Sequence, residues 1–303
     1  MTNTQEPRQV ITSQHGSMKS NIWYCGDIRI GHAVSSFNDY VRVTSSSAHQ
    51  DVVRLHFGMK GNYSFSYKQL NKSFDLIGGH HNIMYSKEFD MEMMNKTLEI
   101  ETFGIQFPKE RFIQYTQQAS DSLQRFAEQI LNGESVLLSD QWGAIDPSIQ
   151  QVIHQMIHSK YTGDHQQLFL LSKSIELLVL CAESYRESVP PEDLFLKNTT
   201  DKEKIIAVRD LINERVHCPP NLSEIAKAVG LNEYKLKRGF KEVFHTTVFG
   251  YLTDQRLHLA HRYLLDTQKT AAEIGYELGY STPQHFNNAF KKKFGTTPFS
   301  VKK

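Results

Sequence analysis

The chain has 303 residues, which suggests roughly two domains of about 150 residues each. Its three cysteines, Cys25, Cys181 and Cys218, are far apart and odd in number, which excludes a disulfide framework or a paired-cysteine metal site and indicates reduced thiols. The first residues contain no apolar signal-peptide core, and no apolar run approaches the about 18 residues of a membrane span. We therefore expect a cytoplasmic protein with no membrane partner.

The formal net charge of +1 conceals an uneven distribution of charge along the chain. From residue 201 onward there are 17 Lys and Arg against 11 Asp and Glu, whereas residues 1–200 carry 17 against 22. A basic C-terminal third beside an acidic remainder is typical of a nucleic-acid-binding module attached to a domain with another task.

The N-terminal part of the chain has the composition of short strands. Residues 1–20 are polar, and we expect them to be frayed. Between Ile22 and Phe107, β-branched and aromatic runs are separated by Gly, Asn and Asp, which favours a small barrel or jelly roll and predicts a β-rich sensing domain over residues 1–108. The predicted strands are Ile22–Tyr24, Tyr40–Thr44, Val52–Phe57, Tyr63–Tyr67, Asn82–Tyr85 and Thr97–Phe107.

Histidines and aromatic residues of this domain are candidates for a ligand pocket, although aromatic side chains in a barrel are also typical of its core. No Glu accompanies the histidines at a compact spacing, so we expect neither a bound metal nor another resident cofactor. The candidate effector-binding residues are His56, Tyr63, Phe65, Tyr67, His80, His81 and Tyr85.

From residue 109 to residue 188 the apolar period becomes helical. The segment from Leu168 to Tyr185 is apolar on more than half of its circumference, so a helix there needs packing partners on two sides. We predict a packing segment that also forms a homodimer interface, with purely intramolecular packing as the alternative. Pro190 and Pro191 then prevent a helix across a linker predicted over residues 189–200.

The C-terminal domain, predicted over residues 201–303, contains one unit twice. The segment from Asn221 to Leu231 repeats from Thr270 to Tyr280 at a constant offset of 49 positions, and the offset becomes 50 beyond Tyr280. A repeat of this kind indicates one supersecondary unit used twice. A single long helix from Thr247 to Asp266 is predicted between the two copies.

Each copy carries the start and stop signals of a helix-turn-helix. Asn221 with Glu224, and Thr270 with Glu273, have the spacing of a capping box. Gly230 and Gly279 stand where each first helix must end. The second helix of each copy has an apolar stripe at spacing four, so the opposite face is left for solvent or for a DNA groove.

The residue types on these opposite faces favour DNA. A polar helix face taken singly is as typical of a plain solvated helix, but two matched faces carry Lys and Arg for phosphate or guanine and Asn and Gln for adenine. The candidate DNA-binding residues are Asn232, Tyr234, Lys235, Lys237, Arg238 and Lys241 in the first copy, and Thr282, Gln284, His285, Asn287, Asn288 and Lys291 in the second.

Residues 202–301 resemble the DNA-binding domain of AraC/XylS-type transcription regulators. The motif from Glu273 to Pro298 carries the resemblance, and the first copy is most similar to siderophore-responsive, pyochelin-regulator-like members. The resemblance implies an α+β multidomain protein: a cupin-like sensor barrel with following helices, then a seven-helix domain with two helix-turn-helix units. Asn288 departs from the family, whose members often carry Arg there, and Asn cannot make a bidentate guanine contact.

These observations predict a transcription regulator that binds double-stranded promoter DNA and is switched by a small-molecule effector. The resemblance implies a ferric siderophore as effector, activation of iron-uptake genes and contact with RNA polymerase; a sugar, aromatic acid or other metabolite is the alternative. A repressor without an effector remains a third reading. An enzyme fused to this DNA-binding domain is not expected, because no cysteine lies in a nucleophile motif and no G-x-S-x-G, P-loop or H-E-x-x-H sequence occurs.

Overall fold

The computed structural model describes residues 9–47, 51–116, 121–185, 195–196, 198–244 and 246–301. Contacts between residues divide the chain into two compact units, Met1–Ser188 and Val189–Lys303. The first unit is rich in β-strands and ends in helices, whereas the second is helical throughout its described residues.

The described strands of the first unit alternate with tight turns. They are β1 (Gln9–Ser13), β2 (Gly16–Cys25), β3 (Ile28–Phe37), β4 (Arg42–Ser47), β5 (Val52–Lys60), β6 (Asn62–Tyr67), β7 (Lys72–Ile77), β8 (His80–Ser86), β9 (Phe89–Asn95), β10 (Glu99–Pro108), β11 (Val136–Leu137) and β12 (Gly143–Ala144). A 3₁₀ turn, Lys68–Leu70, lies between β6 and β7.

These strands form two antiparallel sheets. The larger sheet has the order β1-β2-β3-β10-β5-β8-β11, with β12 also on β8, and the smaller has the order β4-β9-β6-β7. Among the described residues the hydrogen-bond ladder does not continue from one sheet to the other, so the predicted cupin-like barrel is not closed. The expectation that residues 1–20 are frayed is wrong from residue 9 on, because the backbone of β1 pairs with β2 from Gln9 opposite Ser20 to Ser13 opposite Gly16.

The two faces of the larger sheet differ in character. Ile30, Leu55, Phe57 and Phe103 point to one side and belong to a large buried apolar cluster that also contains helix residues. Each such side chain contributes roughly 1.5–3 kcal/mol when fully buried. The other face turns toward the smaller sheet, where side chains of both sheets share a second, aromatic cluster.

Helices cover the apolar face of the larger sheet. The predicted change to a helical period after residue 108 is confirmed. They are α1 (Lys109–Thr116), α2 (Asp121–Leu131), α3 (Pro147–Ile157) and α4 (Gly163–Ser184). In α4, Leu170, Leu177 and Cys181 are buried, whereas Leu168 and Val179 are exposed.

The second unit contains seven helices within its described residues, the number that the resemblance implies. They are α5 (Thr199–Glu214), α6 (Leu222–Val229), α7 (Glu233–Phe244), α8 (Val248–Asp266), α9 (Ala271–Glu277), α10 (Pro283–Phe294) and α11 (Pro298–Val301). The predicted long helix is confirmed as α8, which starts where the Thr247 hydroxyl accepts the N–H of Gly250 at 3.0 Å.

Candidate nucleic-acid interface and ligand cavity

Local signals determine the geometry of the first helix pair, α6 and α7. Asn221 and Glu224 form the predicted capping box, in which each side chain accepts the backbone N–H of the other residue at 3.0 Å. Gly230 ends α6 with a φ of 66°, in the left-handed region that glycine adopts without steric cost. The side-chain oxygen of Asn232 accepts the N–H of Lys235 at 2.8 Å and starts α7.

An aromatic core orients α7. Leu236, Phe240 and Phe244 are buried at spacing four, as the apolar period predicts. The rings of Phe240 and Phe244 lie 5.7 Å and 5.8 Å from the ring of Tyr251 on α8, measured between centroids. Because this face is fully occupied, the opposite face of α7 is the one left for solvent or a partner.

The candidate DNA-binding residues of α7 are on that opposite face, with one difference. Lys235 is half-buried and its amine lies 2.5 Å from a carboxylate oxygen of Asp201, so it is held by the protein itself. The hydrogen bond from Lys235 lowers the pKa of Asp201 and keeps its carboxylate ionised. The exposed members of the set are Asn232, Tyr234, Lys237, Arg238 and Lys241.

Arg238 is oriented by two aromatic neighbours. Its guanidinium donates a hydrogen bond of 2.9 Å to the hydroxyl of Tyr234, one helical turn earlier. It also lies over the ring of Phe195, 4.5 Å from the centroid, and the rings of Phe195 and Tyr234 meet edge-on at 5.9 Å. Arg238, one of the candidate DNA-binding residues, is thus partly preorganised on the helix surface.

The segment that contains Phe195 is attached to α7 by a carboxylate. Glu242 accepts the backbone N–H of Phe195 at 2.5 Å and that of Leu196 at 3.0 Å. The side chain of Leu196 is 1% exposed. It lies so close to Gly239 that a β-carbon there would be 3.0 Å from a Leu196 methyl carbon and 3.1 Å from Ile205. These residues fall in the interval predicted as linker, and no local pattern in the sequence indicates this contact.

The second helix pair, α9 and α10, repeats the same local chemistry. Thr270 and Glu273 form a capping box, and Gly279 has a φ of 78° after the end of α9. The Thr282 hydroxyl accepts the N–H of His285 at 3.2 Å, with Pro283 in the first turn of α10. The repeat that is visible in the sequence is therefore also a repeat of caps and turns.

The exposed face of α10 carries every candidate of the second copy. Phe286 and Phe290 are buried on the other side of this helix, whereas Phe294 is only partly buried. Lys293 is paired with Asp254 of α8 at 2.8 Å. The exposed candidates are Thr282, Gln284, His285, Asn287, Asn288 and Lys291.

Arg256 of α8 joins neighbouring elements of this unit. Its guanidinium donates to the carbonyl oxygens of Val216 at 2.9 Å and His217 at 3.3 Å, in the turn before α6. A charged donor used in this way ties α8 to the loop that leads into the first helix pair.

A cavity of about 340 Å³ lies between the two sheets of the first unit. It is lined by both sheets: Arg29, Arg54 and His56 belong to the larger sheet, and Phe65 and Phe89 belong to the smaller. Its volume is near the lower end of the roughly 300–1,000 Å³ usual for small-molecule sites. The cavity therefore fits a compact ligand.

Two of the candidate effector-binding residues, His56 and Phe65, line this cavity. The other five have different surroundings. Tyr63 and Tyr67 belong to the aromatic cluster between the sheets, and the Tyr85 hydroxyl donates to Asp51 at 2.5 Å. The ring Nδ1 of His80 lies 2.6 Å from the carbonyl oxygen of Ile77.

His81 lies on the opposite face of the larger sheet. It contacts α4 through the Ser184 hydroxyl at 3.1 Å, and the hydroxyl of Tyr185 donates to its carbonyl oxygen at 2.7 Å. Burial lowers the pKa of His81 to about 3. Neighbouring residues of a strand point to opposite faces, and sequence reasoning could not say which of His80, His81 and Asn82 faced the interior.

His56 is a neutral hydrogen-bonding group at one wall of the cavity. Its Nε2 lies 2.7 Å from the Tyr63 hydroxyl, and its ring is stacked on Phe65 with centroids 5.9 Å apart. Burial lowers the pKa of His56 to about 4, so the ring is uncharged at neutral pH. Nor does any group of three or more His, Cys, Asp or Glu within the described ranges have the arrangement of a metal site.

The described helices include none that is long and apolar enough to span a membrane. A β-rich unit followed by a helical unit with capped helix pairs is the layout of an AraC-type transcription regulator. A family model described as a helix-turn-helix domain matches residues 225–303. A second, described as the N-terminal domain of the regulatory protein PchR, matches residues 33–196, which is more than half of the chain. The chain thus belongs to the AraC-type regulators that carry the PchR N-terminal domain.

Similar proteins agree with this membership. The chain is 35% identical over 121 residues to the regulatory protein PchR of Pseudomonas aeruginosa, a match that covers 40% of this chain and 41% of PchR. It is 34% identical over 94 residues to the regulatory protein SoxS of Escherichia coli K12, covering 30% of this chain and 88% of SoxS. The match to PchR therefore spans under half of that regulator's length.

Among solved structures, a transcriptional regulator of Chromobacterium violaceum with an AraC-type DNA-binding domain is 28% identical to this chain. The match covers 35% of this chain and 94% of that one, with a TM-score of 0.33.

Proposed function

We propose that this protein binds promoter DNA through α7 and α10, as two helix-turn-helix units, and that a small molecule in the cavity of the first unit switches it. The repeated geometry of the two helix pairs carries the DNA-binding part. Each pair has a capping box, a glycine turn and a buried stripe, and each turns Asn, Gln, Lys or Arg side chains to solvent. Such helices fit successive major grooves, whose centres are roughly 34 Å apart.

Arg238 and Lys237 have different roles in this proposal. Arg238, oriented by Tyr234, reads a base edge, whereas Lys237, which pairs with Glu233 at 3.2 Å, contacts phosphate. Replacing Arg238 by Ala is expected to weaken binding to the preferred site by about 1–3 kcal/mol and to relax the sequence preference at one position. Lys237→Ala is the matched control. It should weaken binding equally on all sequences, and the slope of the logarithm of the binding constant against the logarithm of the salt concentration should become smaller by about 1.

The measurement is fluorescence anisotropy of the full chain on an operator selected from a random DNA pool and on a scrambled duplex, across a range of salt concentrations. If Arg238→Ala weakened both duplexes equally, Arg238 would be a phosphate contact. If the unsubstituted protein did not distinguish the two duplexes, sequence-specific DNA binding itself would be refuted.

For the effector we propose a ferric siderophore and control of iron-uptake genes, on the strength of the match to the PchR N-terminal domain. A sugar or an aromatic acid is the alternative. A ligand that binds only the native state raises the melting temperature by mass action. The full chain should therefore melt higher with a ferric siderophore than with its iron-free form, and a shift only with sugars or aromatic acids would reject the siderophore.

We also propose that the protein contacts RNA polymerase and forms a homodimer through residues 109–188. The exposed Leu168 and Val179 support the dimer, because they are about three helical turns apart on α4 and therefore lie on the same side of that helix. Light scattering of the full chain and of a Val179→Glu variant tests it, since only a dimer formed through α4 dissociates on substitution.

A purely regulatory, non-enzymatic role is part of the same proposal. Two of the three thiols, those of Cys25 and Cys181, are buried. Burial raises the pKa of Cys25 to about 12 and also raises that of Cys181, which disfavours the thiolate that a nucleophile requires.

A further inference from the structure

The register of the larger sheet places three donor side chains in one row on its inner face. Arg29 of β3 stands opposite Gln106 of β10, and Gln106 stands opposite Arg54 of β5. Directly paired residues of adjacent strands point to the same side, with β-carbons about 4.5–5.5 Å apart. The row Arg29–Gln106–Arg54, termed here the arginine row, lines the cavity.

Two glycines leave the space in front of this row open. Gly31 and Gly104 are opposite each other in the next row of the same face, beside His56. A β-carbon at Gly31 would lie 3.7 Å from a terminal nitrogen of Arg29, so that guanidinium extends along the strand over the position where a side chain is missing. The open space of the cavity is therefore directly next to the donor groups of the arginine row.

Both arginines line the cavity, in a part of the chain whose net charge is negative. Arg54 is only 6% exposed, and its guanidinium lies 4.3 Å from the ring centroid of Phe89 on the opposite sheet. Arg29 is half-buried. Within the described residues, the cavity lining contains these two arginines and no Asp or Glu. Two like charges on one face repel each other, and an anion between them would offset that repulsion.

The opposite wall is apolar, and it is formed by Phe65, Phe89 and Met91 of the smaller sheet. We propose that the ligand of this cavity is a compact amphipathic acid. Its ionised carboxylate or phenolate is bound by the arginine row, and its apolar or aromatic body lies against this wall. The proposal rests on the proposed effector binding and, of the effectors named there, favours the aromatic acid over the ferric siderophore.

The test compares acids with neutral ligands of the same shape. The probes are salicylate with salicylamide, and 2-naphthoate with 2-naphthamide, each titrated into the full chain and followed by thermal unfolding and calorimetry. We expect at least one acid to raise the melting temperature and to bind about 10–100-fold more tightly than its amide, because hydrogen bonds to a charged group are the strong ones.

Substitutions then test whether the arginine row causes the preference for the acid over its amide. Arg54→Met and Gln106→Glu are expected to abolish the preference for the acid, and Arg54→Lys should keep part of it. Met91→Leu is the matched control, because it alters the apolar wall and leaves every charge in place. Arg29→Met serves as the second charge deletion if Arg54→Met does not fold, since Arg29 is the less buried of the two.

Each outcome decides the proposal. Amides that bind as tightly as their acids, or an Arg54→Met protein that folds and keeps the preference, overturn it. If a neutral sugar or a siderophore raises the melting temperature and neither acid does, the amphipathic-acid proposal is overturned. The proposal that the cavity binds an effector then still stands. No shift with any of these ligands overturns both, and DNA binding remains a separate measurement.

Discussion

The docking of Leu196 on α7 can be tested by a double-mutant cycle with Gly239. The side chain of Leu196 is buried, and a β-carbon at position 239 would lie 3.0 Å from one of its methyl carbons. Leu196→Ala removes buried methyl groups and should lower the free energy of unfolding of the second unit by about 2–4 kcal/mol.

Gly239→Ala brings two opposing effects. A contact of 3.0–3.1 Å with Leu196 and Ile205 is overpacked, which costs about 1–3 kcal/mol, whereas alanine in place of glycine within a helix gains about 1 kcal/mol. The single substitution should therefore cost about 0–2 kcal/mol. In the double variant the new methyl group occupies space that Leu196 has left, so its total cost should be at least 1 kcal/mol below the sum of the single costs.

The chain offers a built-in control for this measurement. Both tryptophans, Trp23 and Trp142, are in the first unit, so tryptophan fluorescence in urea reports on that unit alone. Far-ultraviolet circular dichroism follows the helices of both units, so the part of its transition that the fluorescence does not show belongs to the second unit. We expect the dichroism transition to shift and the fluorescence transition to stay in place. Additive single effects would refute direct packing of Leu196 on Gly239.

Further substitutions test the helix caps, the Arg256 contacts and the buried histidines. Asn221→Ala and Thr270→Ala should each cost about 1 kcal/mol in urea unfolding through loss of a cap, whereas Asn221→Asp should cost little. Arg256→Met should cost about 1–2 kcal/mol through loss of its hydrogen bonds to carbonyls before α6, and an unchanged stability would contradict that tie. Because burial lowers the pKa of His56 from 6.5 to about 4, the unfolded chain takes up a proton first as the pH falls. His56 alone should thus cost the first unit up to about 3 kcal/mol of unfolding free energy between pH 6.5 and 4, and His56→Gln should remove that part of the pH dependence. His81, whose pKa burial lowers to about 3, adds a loss of its own over the same range.

The C-terminal unit shows how far a sequence can be read when its signals are local. Capping boxes, glycine turns and the stripe at spacing four all act within one or two helical turns, and the structure confirms them in both copies, with Phe294 at the end of the second stripe only partly buried. The outward faces of α7 and α10 follow directly, because a helix with a buried stripe has its opposite side exposed.

Strands were predicted less completely, and β3, β7 and β9 lie outside the predicted set. Each of them does alternate, with Ile28 and Ile30, Phe74 and Leu76, or Phe89, Met91 and Met93 at every second position. Uninterrupted runs of β-branched and aromatic residues, on which the prediction depends, are absent from them. The edge strand β1 is fully exposed and owes its conformation to its backbone pairing with β2.

The sequence by itself determined the class of this protein, the two capped helix pairs and the side chains that they turn to solvent, because each of these depends on neighbours within a few residues. Only the tertiary structure decided which residues meet across the chain. It placed Arg29, Gln106 and Arg54 in one row, turned His81 away from the cavity and set Leu196 against α7. Strand register and long-range packing decide such contacts, and a shift of one residue in register would exchange the two faces of a strand.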